Sequence, residues 1–449
     1  MLCSNNSDKE VMNKMIKYKK QFIKKQSPGR LIAMGFASVI LIGTILLLMP
    51  VSVKEGAEVS FIDALFTSTS AVCVTGLIVV DTADHFTALG QGIIAVLIQI
   101  GGLGVTSVGV GLVLAAGKRV SIKSRLMVKE ALNVGDLKGM VKLVKAILIM
   151  TLCFESIGAV LSFVVFVQDY SPLHALGISI FHSIVSFNNA GFDILGGLRN
   201  LIPYQNNVLL NLTTCFLIIA GGIGFLVILD IKKNKRFKKL SFNSKIVLST
   251  SVILLAVGTL LLKMTEDISW MGAFFNSVSA RTAGFSTYSV GSFSNAGLFV
   301  LCFLMFIGAS PGSTGGGIKT STFFVMAQKA RGMCTNGVTG AFKRSISSQN
   351  VMKAFTITML SAAVVGVSTF LMCVLEPEYS FMQVFFEMIS AFGTVGLSTG
   401  ITPELGIAAK LVTILVMFTG RLGAITMVSI WSDHKEPNIR YSEETVIIG

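Results

Sequence analysis

The stretch Thr394-Val395-Gly396-Leu397-Ser398 decides the reading of this chain, because near-copies of its core recur three times upstream. They are Val74-Thr75-Gly76-Leu77, Asn189-Ala190-Gly191-Phe192 and Thr282-Ala283-Gly284-Phe285. Each glycine follows, by nine or ten residues, a phenylalanine in a short amphiphilic run: Phe66, Phe181, Phe275 and Phe386. Glycine has no Cβ, so its backbone adopts conformations other residues resist and a ligand can approach its carbonyls. Four such loops around one axis would form a ring of backbone carbonyls built from four unequal repeats.

The flanking sequence belongs to a membrane. Of 449 residues, 52% are hydrophobic and only 13% charged, too apolar for a soluble globule. Eight long apolar segments lie near 31–50, 89–116, 145–167, 206–229, 245–262, 296–325, 351–375 and 405–431. At about 1.5 Å of rise per residue, most of them can cross a hydrocarbon core about 30 Å thick. Shorter runs at 61–72, 173–187, 269–280 and 380–391 cannot, and read as re-entrant half-helices. The expected fold is an all-α integral membrane protein: four covalently linked helix–pore-loop–helix repeats, with eight transmembrane helices and four half-helices around one pore. The repeats occupy 31–117, 118–230, 231–330 and 331–432, the last three including basic linkers. Tails at 1–30 and 433–449 complete the chain.

In the second span of each repeat a small-residue cluster recurs: Ile100-Gly101-Gly102-Leu103-Gly104, Ala220-Gly221-Gly222-Ile223-Gly224, Ile307-Gly308-Ala309 and Thr419-Gly420-Arg421-Leu422-Gly423. The distance from loop glycine to this cluster is 25, 30, 24 and 24 residues. Small residues alone mark ordinary helix packing. Their conjunction with a half-helix and a loop glycine is the specific signal.

A net charge of +14 could suggest nucleic acid, but its placement points elsewhere. Most of the 37 Lys and Arg fall in the N-terminal tail, in 117–145, 230–245 and 329–353, and after Trp431. These lie on alternate sides of the spans, so the positive-inside rule places both termini in the cytoplasm and the protein in the cell membrane. Residues 1–30 fit a surface helix or topology-setting charge, and no cleavable leader is evident before the first span. The opposite loops carry acids including Asp81, Asp84 and Asp193, which either concentrate cations at an outer mouth or merely solvate the loops. Seven single cysteines and four scattered histidines give no disulfide framework or zinc motif.

A monovalent cation entering a dry pore must exchange its hydration shell for oxygens that do not hold it too tightly, and carbonyl dipoles meet that need. Irregular backbone at membrane depth is tolerated where it lines a cavity. Half-helices aimed at the axis would add the negative ends of their dipoles. Thr394-Val395-Gly396 matches the start of the potassium-channel filter, then departs at Leu397 and Ser398. The candidate cation-binding residues are Val74, Thr75, Gly76, Asn189, Ala190, Gly191, Thr282, Ala283, Gly284, Thr394, Val395 and Gly396, with a monovalent cation at the filter as the only metal expected.

The sixth span is interrupted by Gly308-Ala309-Ser310-Pro311-Gly312-Ser313-Thr314-Gly315-Gly316-Gly317, followed by Ile318-Lys319-Thr320. Five glycines and a proline cannot continue a helix, and a broken span at midplane is a recurrent mark of a transport path. A Walker A loop is excluded because Ile318 separates the last glycine from Lys319 and no strand precedes it. Arg421 stands where the other second spans have Gly102, Gly222 and Ala309. A charge there costs at least ~2.5 kcal/mol on insertion scales, so it should face the pore and hold the broken loop, or else pair with a neighbouring span. Lys319 either adds to that barrier or snorkels to the inner surface. His182, Asn276 and Glu387, each following a marker phenylalanine, satisfy the half-helix environment rather than contact an ion.

These residues resemble the Trk/Ktr/HKT superfamily of potassium transporters, most closely the membrane subunit of bacterial Ktr systems, from Pro28 to about Trp431. The resemblance implies one pore per chain, a homodimer, filter glycines at Gly76, Gly191, Gly284 and Gly396, a gating loop over Gly308 to Gly317, and a pore arginine at Arg421. Members with serine in the first loop tend towards sodium, so glycine in all four implies potassium, with sodium as the second candidate. It also implies a separate cytosolic ring of nucleotide-binding regulatory subunits, so no cofactor is expected in this chain. A secondary carrier coupled to sodium or protons is the alternative, but would show inverted repeats and acids buried at midplane. An enzyme is not expected, since no nucleophile, base and metal set converges.

Overall fold

The computed structural model describes residues 28–117, 120–131, 139–335, 337, 339–423 and 427. Most of the N-terminal tail and all of the tail at 433–449 lie outside the described residues. The described residues are mostly helical. Its elements are α1 (Pro28–Leu47), α2 (Phe61–Cys73), α3 (Ala88–Leu103), α4 (Val105–Ala115), α5 (Ile122–Ala131), α6 (Met140–Phe166), α7 (Pro172–Asn188), α8 (Val208–Gly222), α9 (Phe225–Asn234), α10 (Phe242–Thr265), α11 (Trp270–Ser279), α12 (Asn295–Phe306), α13 (Thr320–Cys334), α14 (Ser348–Leu375), α15 (Phe381–Gly393) and α16 (Ile407–Leu422). A two-stranded hairpin, Gly340–Ala341 with Arg344–Ser345, joins α13 to α14.

The first spans, α1, α6, α10 and α14, are long unbroken helices that turn apolar side chains outward, including Ile45, Leu152, Val252 and Phe370. In lipid such exposure is the favourable arrangement. The second spans break at glycine. Gly104 (φ 82°) bends α3 from α4 by 102°, and Gly224 (φ 97°) bends α8 from α9 by 96°. Gly423 (φ 86°) ends α16 in the same conformation. In the third repeat the break widens into the loop between α12 and α13. Among the described residues the eight apolar segments therefore comprise four unbroken helices long enough to cross, two bent pairs and two shorter helices, because backbone at φ near +90° cannot continue a right-handed helix.

The half-helices α2, α7, α11 and α15 occupy the centre. Serine precedes each: Ser60, Ser269 and Ser380 accept hydrogen bonds from backbone N–H groups in the first turn, and Ser171 is followed by Pro172 at the first helical position. All four marker phenylalanines are buried. Each second span packs against the half-helix of the following repeat, α3 on α7, α8 on α11 and α12 on α15, and α16 returns to α2. The Lys410 Nζ–Asp63 Oδ1 ion pair, 2.8 Å, spans that last seam. The four units thus close into a ring.

A further repeat lies between first spans and half-helices. Ser68, Ser183 and Ser277 donate to the carbonyls of Ile40, Glu155 and Leu255 on the preceding first spans. Gly43, Gly158 and Gly258 leave room for them, since a Cβ at any of the three would meet the serine oxygen. The fourth repeat has Met388 at this position and lacks the bond.

Candidate functional site

The half-helices end where their loops meet. In α2, α7 and α15 the chain leaves the helix through a left-handed non-glycine residue, Val74 (φ 59°), Asn189 (φ 61°) and Thr394 (φ 51°). Two residues later come Gly76, Gly191 and Gly396, and with Gly284 all four loop glycines have positive φ: 93°, 66°, 93° and 78° respectively. A Cβ on Gly76 would strike the Ala190 carbonyl oxygen, and one on Gly191 would lie 2.7 Å from that of Ala283. One on Gly284 would strike Val395, and one on Gly396 would strike Thr75. Each glycine touches the residue before the next glycine in chain order, and the fourth touches the first. The oxygens of Thr75, Ala190, Ala283 and Val395 therefore sit at the four contacts.

Local bonds hold this backbone. Gly76 N and Gly396 N donate to Ser70 Oγ and Ser390 Oγ at 3.0 and 3.1 Å. The Thr282 hydroxyl donates to the Asn189 side-chain oxygen at 2.7 Å, while Asn189 Nδ2 donates to the Ser186 and Ile218 carbonyls. The second-span glycines serve the same end. A Cβ on Gly101, Gly221 or Gly420 would collide with the carbonyl of Val72, Phe187 or Phe392, each four residues before a ring glycine. This explains the recurring distance between the two glycine sets: the second span must lie flush on the last turn of the half-helix.

On one side of the ring lies a cavity of about 200 Å³, lined by all four ring glycines together with Asn200, Tyr288 and Ser398. Glu387 buttresses its wall. Only 1% exposed, its Oε1 accepts from the Ser398 hydroxyl, Thr399 N and the Thr399 hydroxyl, and its Oε2 from the Thr402 hydroxyl, at 2.8–3.0 Å. His182 and Asn276, at the same position in their repeats, are also buried and bonded, to Thr214 at 2.8 Å and to the Gly272 carbonyl at 2.9 Å. Two loop acids tie loops together: Asp81 accepts from Leu198 N at 2.7 Å and Asp84 from Gly197 N at 3.0 Å. Asp193 follows the second ring glycine by two residues. Its burial, reinforced by the charges of Asp81 and Asp84, pushes its carboxyl up to about 7 despite a bond from Leu195 N.

The opposite side is crossed by the loop from Gly308 to Gly317. Its neck is pinned where Ile307 pairs with Ile318 and Thr320 N donates to the Ala309 carbonyl. Ser310 N and Thr314 N donate to the Gly222 and Gly221 carbonyls, and Phe225 N to Gly312. Pro311 lies against Gly224 and Ser313 bonds within the loop to the Ser310 carbonyl. Gly316 N donates to the Thr394 hydroxyl at 2.9 Å, and Gly315 lies against the Thr282 side chain. Gly317 lies against Gly393. The loop therefore reaches repeats two and four from repeat three, directly beneath the ring. Lys319 Nζ folds back on the Gly315 and Gly316 carbonyls, at 2.7 and 3.3 Å, rather than reaching an aqueous surface. Arg421 Nη1 donates to the Thr314 carbonyl, and Nη2 to the carbonyls of Gly101 and Gly102. It thus holds the broken loop and also joins the fourth second span to the first.

Sequence reasoning missed Arg281. In the third loop the half-helix ends at Ser279 and no left-handed non-glycine residue follows; Arg281 is buried instead, with Nε and Nη2 donating to the Ile307 and Gly308 carbonyls at 3.2 and 3.0 Å. The only hint was a charge inside an otherwise neutral loop. Among the described residues no group of three or more His, Cys, Asp or Glu converges. What the centre offers a cation is hydroxyl and carbonyl oxygen.

Comparison with known proteins agrees with this architecture. The family model TrkH, described as a cation transport protein, matches residues 13–438. The potassium/sodium uptake protein NtpJ of Enterococcus hirae is 39% identical over 449 aligned residues, covering 96% of this chain and 99% of that protein. Ktr system potassium uptake protein B of Bacillus subtilis is 38% identical, covering 94% of this chain and 97% of its own length. The crystal structure of the potassium transporter TrkH from Vibrio parahaemolyticus superimposes with a TM-score of 0.72 over 91% of this chain and 86% of that one, at 19% identity.

Proposed function

The chain belongs to the TrkH family of cation transport proteins, and from that premise we propose that it is the pore-forming subunit of a potassium uptake system in the cytoplasmic membrane, multi-pass, with both termini cytosolic. Its four repeats, 31–117, 118–230, 231–330 and 331–432, surround one pore. The filter is formed by Val74, Thr75 and Gly76, Asn189, Ala190 and Gly191, Thr282, Ala283 and Gly284, and Thr394, Val395 and Gly396. Potassium, with sodium as a weaker competitor, enters from the acidic side through the 200 Å³ cavity and exchanges water for loop oxygens. The loop from Gly308 to Gly317, with Lys319 and Arg421, obstructs the path below as a gate. Two copies form a homodimer, and a separate cytosolic nucleotide-binding ring docks on the basic inner segments to move the gate.

The observation that carries this reading is the closed cycle of contacts from Gly76 through Gly191 and Gly284 to Gly396 and back. A binding site for a larger substrate would not require four backbones to touch at one point. The names of the two curated relatives, one an uptake protein for potassium and the other for potassium and sodium, support potassium with sodium as competitor. The test is rubidium or potassium uptake by cells whose own potassium uptake is deleted. Expression of this chain should restore saturable uptake and growth at limiting potassium. Expression at the membrane without either would refute the assignment.

A further inference from the structure

We infer that Arg281 is a positioning residue that couples the ring to the gate, so that movement of the loop beneath the third repeat alters ion selection above it. The inference rests on the filter and gate reading and adds a mechanical link within that site.

Arg281 stands three residues before ring glycine Gly284, where the other loops carry the uncharged Cys73, Asn188 and Gly393. The residue is only 8% exposed. Among the described residues no carboxylate stands within 4 Å of it, and its two bonds run to the Ile307 and Gly308 carbonyls. These carbonyls immediately follow α12, at the end of a helix where partial negative charge collects. A planar fork fits two adjacent carbonyls in a way that a single ammonium does not.

Those carbonyls are also the upper hinge of the broken segment, since Ile307 pairs with Ile318 and Gly308 packs on Gly316 and Gly317. Swinging the loop aside requires new backbone dihedrals at 307 and 308, so Arg281 must follow or release them. Gly284 cannot absorb such a shift alone, because its backbone is in contact with both Gly396 and Gly191. Beside Arg281 a cavity of about 30 Å³, lined also by Asn189, Gly222, Thr282 and Ala309, gives the side chain somewhere to move. It has room for about one water.

The test is a double-mutant cycle on the full chain in liposomes, reading the potassium-to-sodium permeability ratio and total flux. The variants are Arg281→Gln, deletion of Gly312 and Ser313, and both together. With Arg281 present, the deletion should raise flux and shift the ratio by at least about twofold, the low end of coupling between residues in contact. In the Arg281→Gln background the deletion should raise flux without shifting the ratio. An equal shift in both backgrounds, or no shift in either, overturns the coupling while leaving the gate intact. A deletion that does not raise flux overturns the gate reading itself. If Arg281→Gln does not reach the membrane, Arg281→Lys keeps the charge and loses the fork: a reduced shift supports the coupling, and a full shift overturns it.

Discussion

A Cβ placed on Gly396 would lie only 2.8 Å from the Cα of Gly76, so the last loop of the chain closes directly on the first. A side chain on either glycine must displace the backbone that faces it. Gly76→Ser places a side chain where φ is 93° and the Ala190 carbonyl already stands. The left-handed strain alone is about 1–2 kcal/mol, and it must be relieved by moving loop oxygens. We predict that Gly76→Ser raises sodium permeation relative to potassium by about tenfold, the equivalent of ~1.4 kcal/mol. Bi-ionic reversal potentials would check this, and unchanged selectivity would remove the first loop from the filter.

Arg421 donates three hydrogen bonds to carbonyls on the loop and on the first repeat. Bonds from a charged donor contribute roughly 1.5–3 kcal/mol each. Arg421→Ala should therefore favour an open path and raise flux of the chain alone by on the order of tenfold, since even ~1.4 kcal/mol suffices. Tracer efflux from liposomes reads this directly.

Glu387 accepts four hydrogen bonds from the segment that follows the fourth ring glycine. Glu387→Ala strands three hydroxyls and one backbone N–H in a buried place, at about 1–3 kcal/mol for each group left unsatisfied. The expected result is a lower thermal midpoint in detergent together with reduced potassium selectivity. Glu387→Gln, which keeps an acceptor for part of the set, should lose less of both.

Asp193 carries a pH dependence of definite sign. Burial pushes its carboxyl up from the ordinary 3.8 to about 7, so the native state binds this proton more tightly than the unfolded chain. Stability from this group is therefore greatest at low pH, declines as pH rises from 3.8 through 7, and is constant above. Asp193→Asn should flatten that decline and raise the unfolding midpoint at pH 8 relative to wild type. Midpoints that fall equally for both proteins between pH 5 and 8 would contradict it.

Much of the ring was legible because it rests on residues with one physical use. A glycine at positive φ in contact with a neighbouring carbonyl is strained by any side chain, so Gly76, Gly191, Gly284 and Gly396 stand out even at low similarity between loops. Gly101, Gly221 and Gly420, which are helical, were legible through their recurring spacing, although their partners, the Val72, Phe187 and Phe392 carbonyls, were not. The bends at Gly104 and Gly224 were harder to see, since an isolated glycine near a helix end is compatible with straight or broken geometry. The Ser68, Ser183 and Ser277 bonds escaped because serine on a half-helix is ordinary, and only the facing glycine makes it specific. Arg281 escaped because its partners are backbone atoms 26 and 27 residues away, which no side-chain pattern announces.

The central claim is that the four loops form a passive path for potassium, and flux through liposomes containing this chain under separately imposed potassium, sodium, proton and voltage gradients tests it most directly. The account predicts potassium flux that follows its own electrochemical gradient and reverses at the potassium equilibrium potential, whatever the proton and sodium gradients. Flux that requires a proton or sodium gradient, or that fails to reverse there, would contradict it and make the ring of glycines the binding site of a coupled carrier.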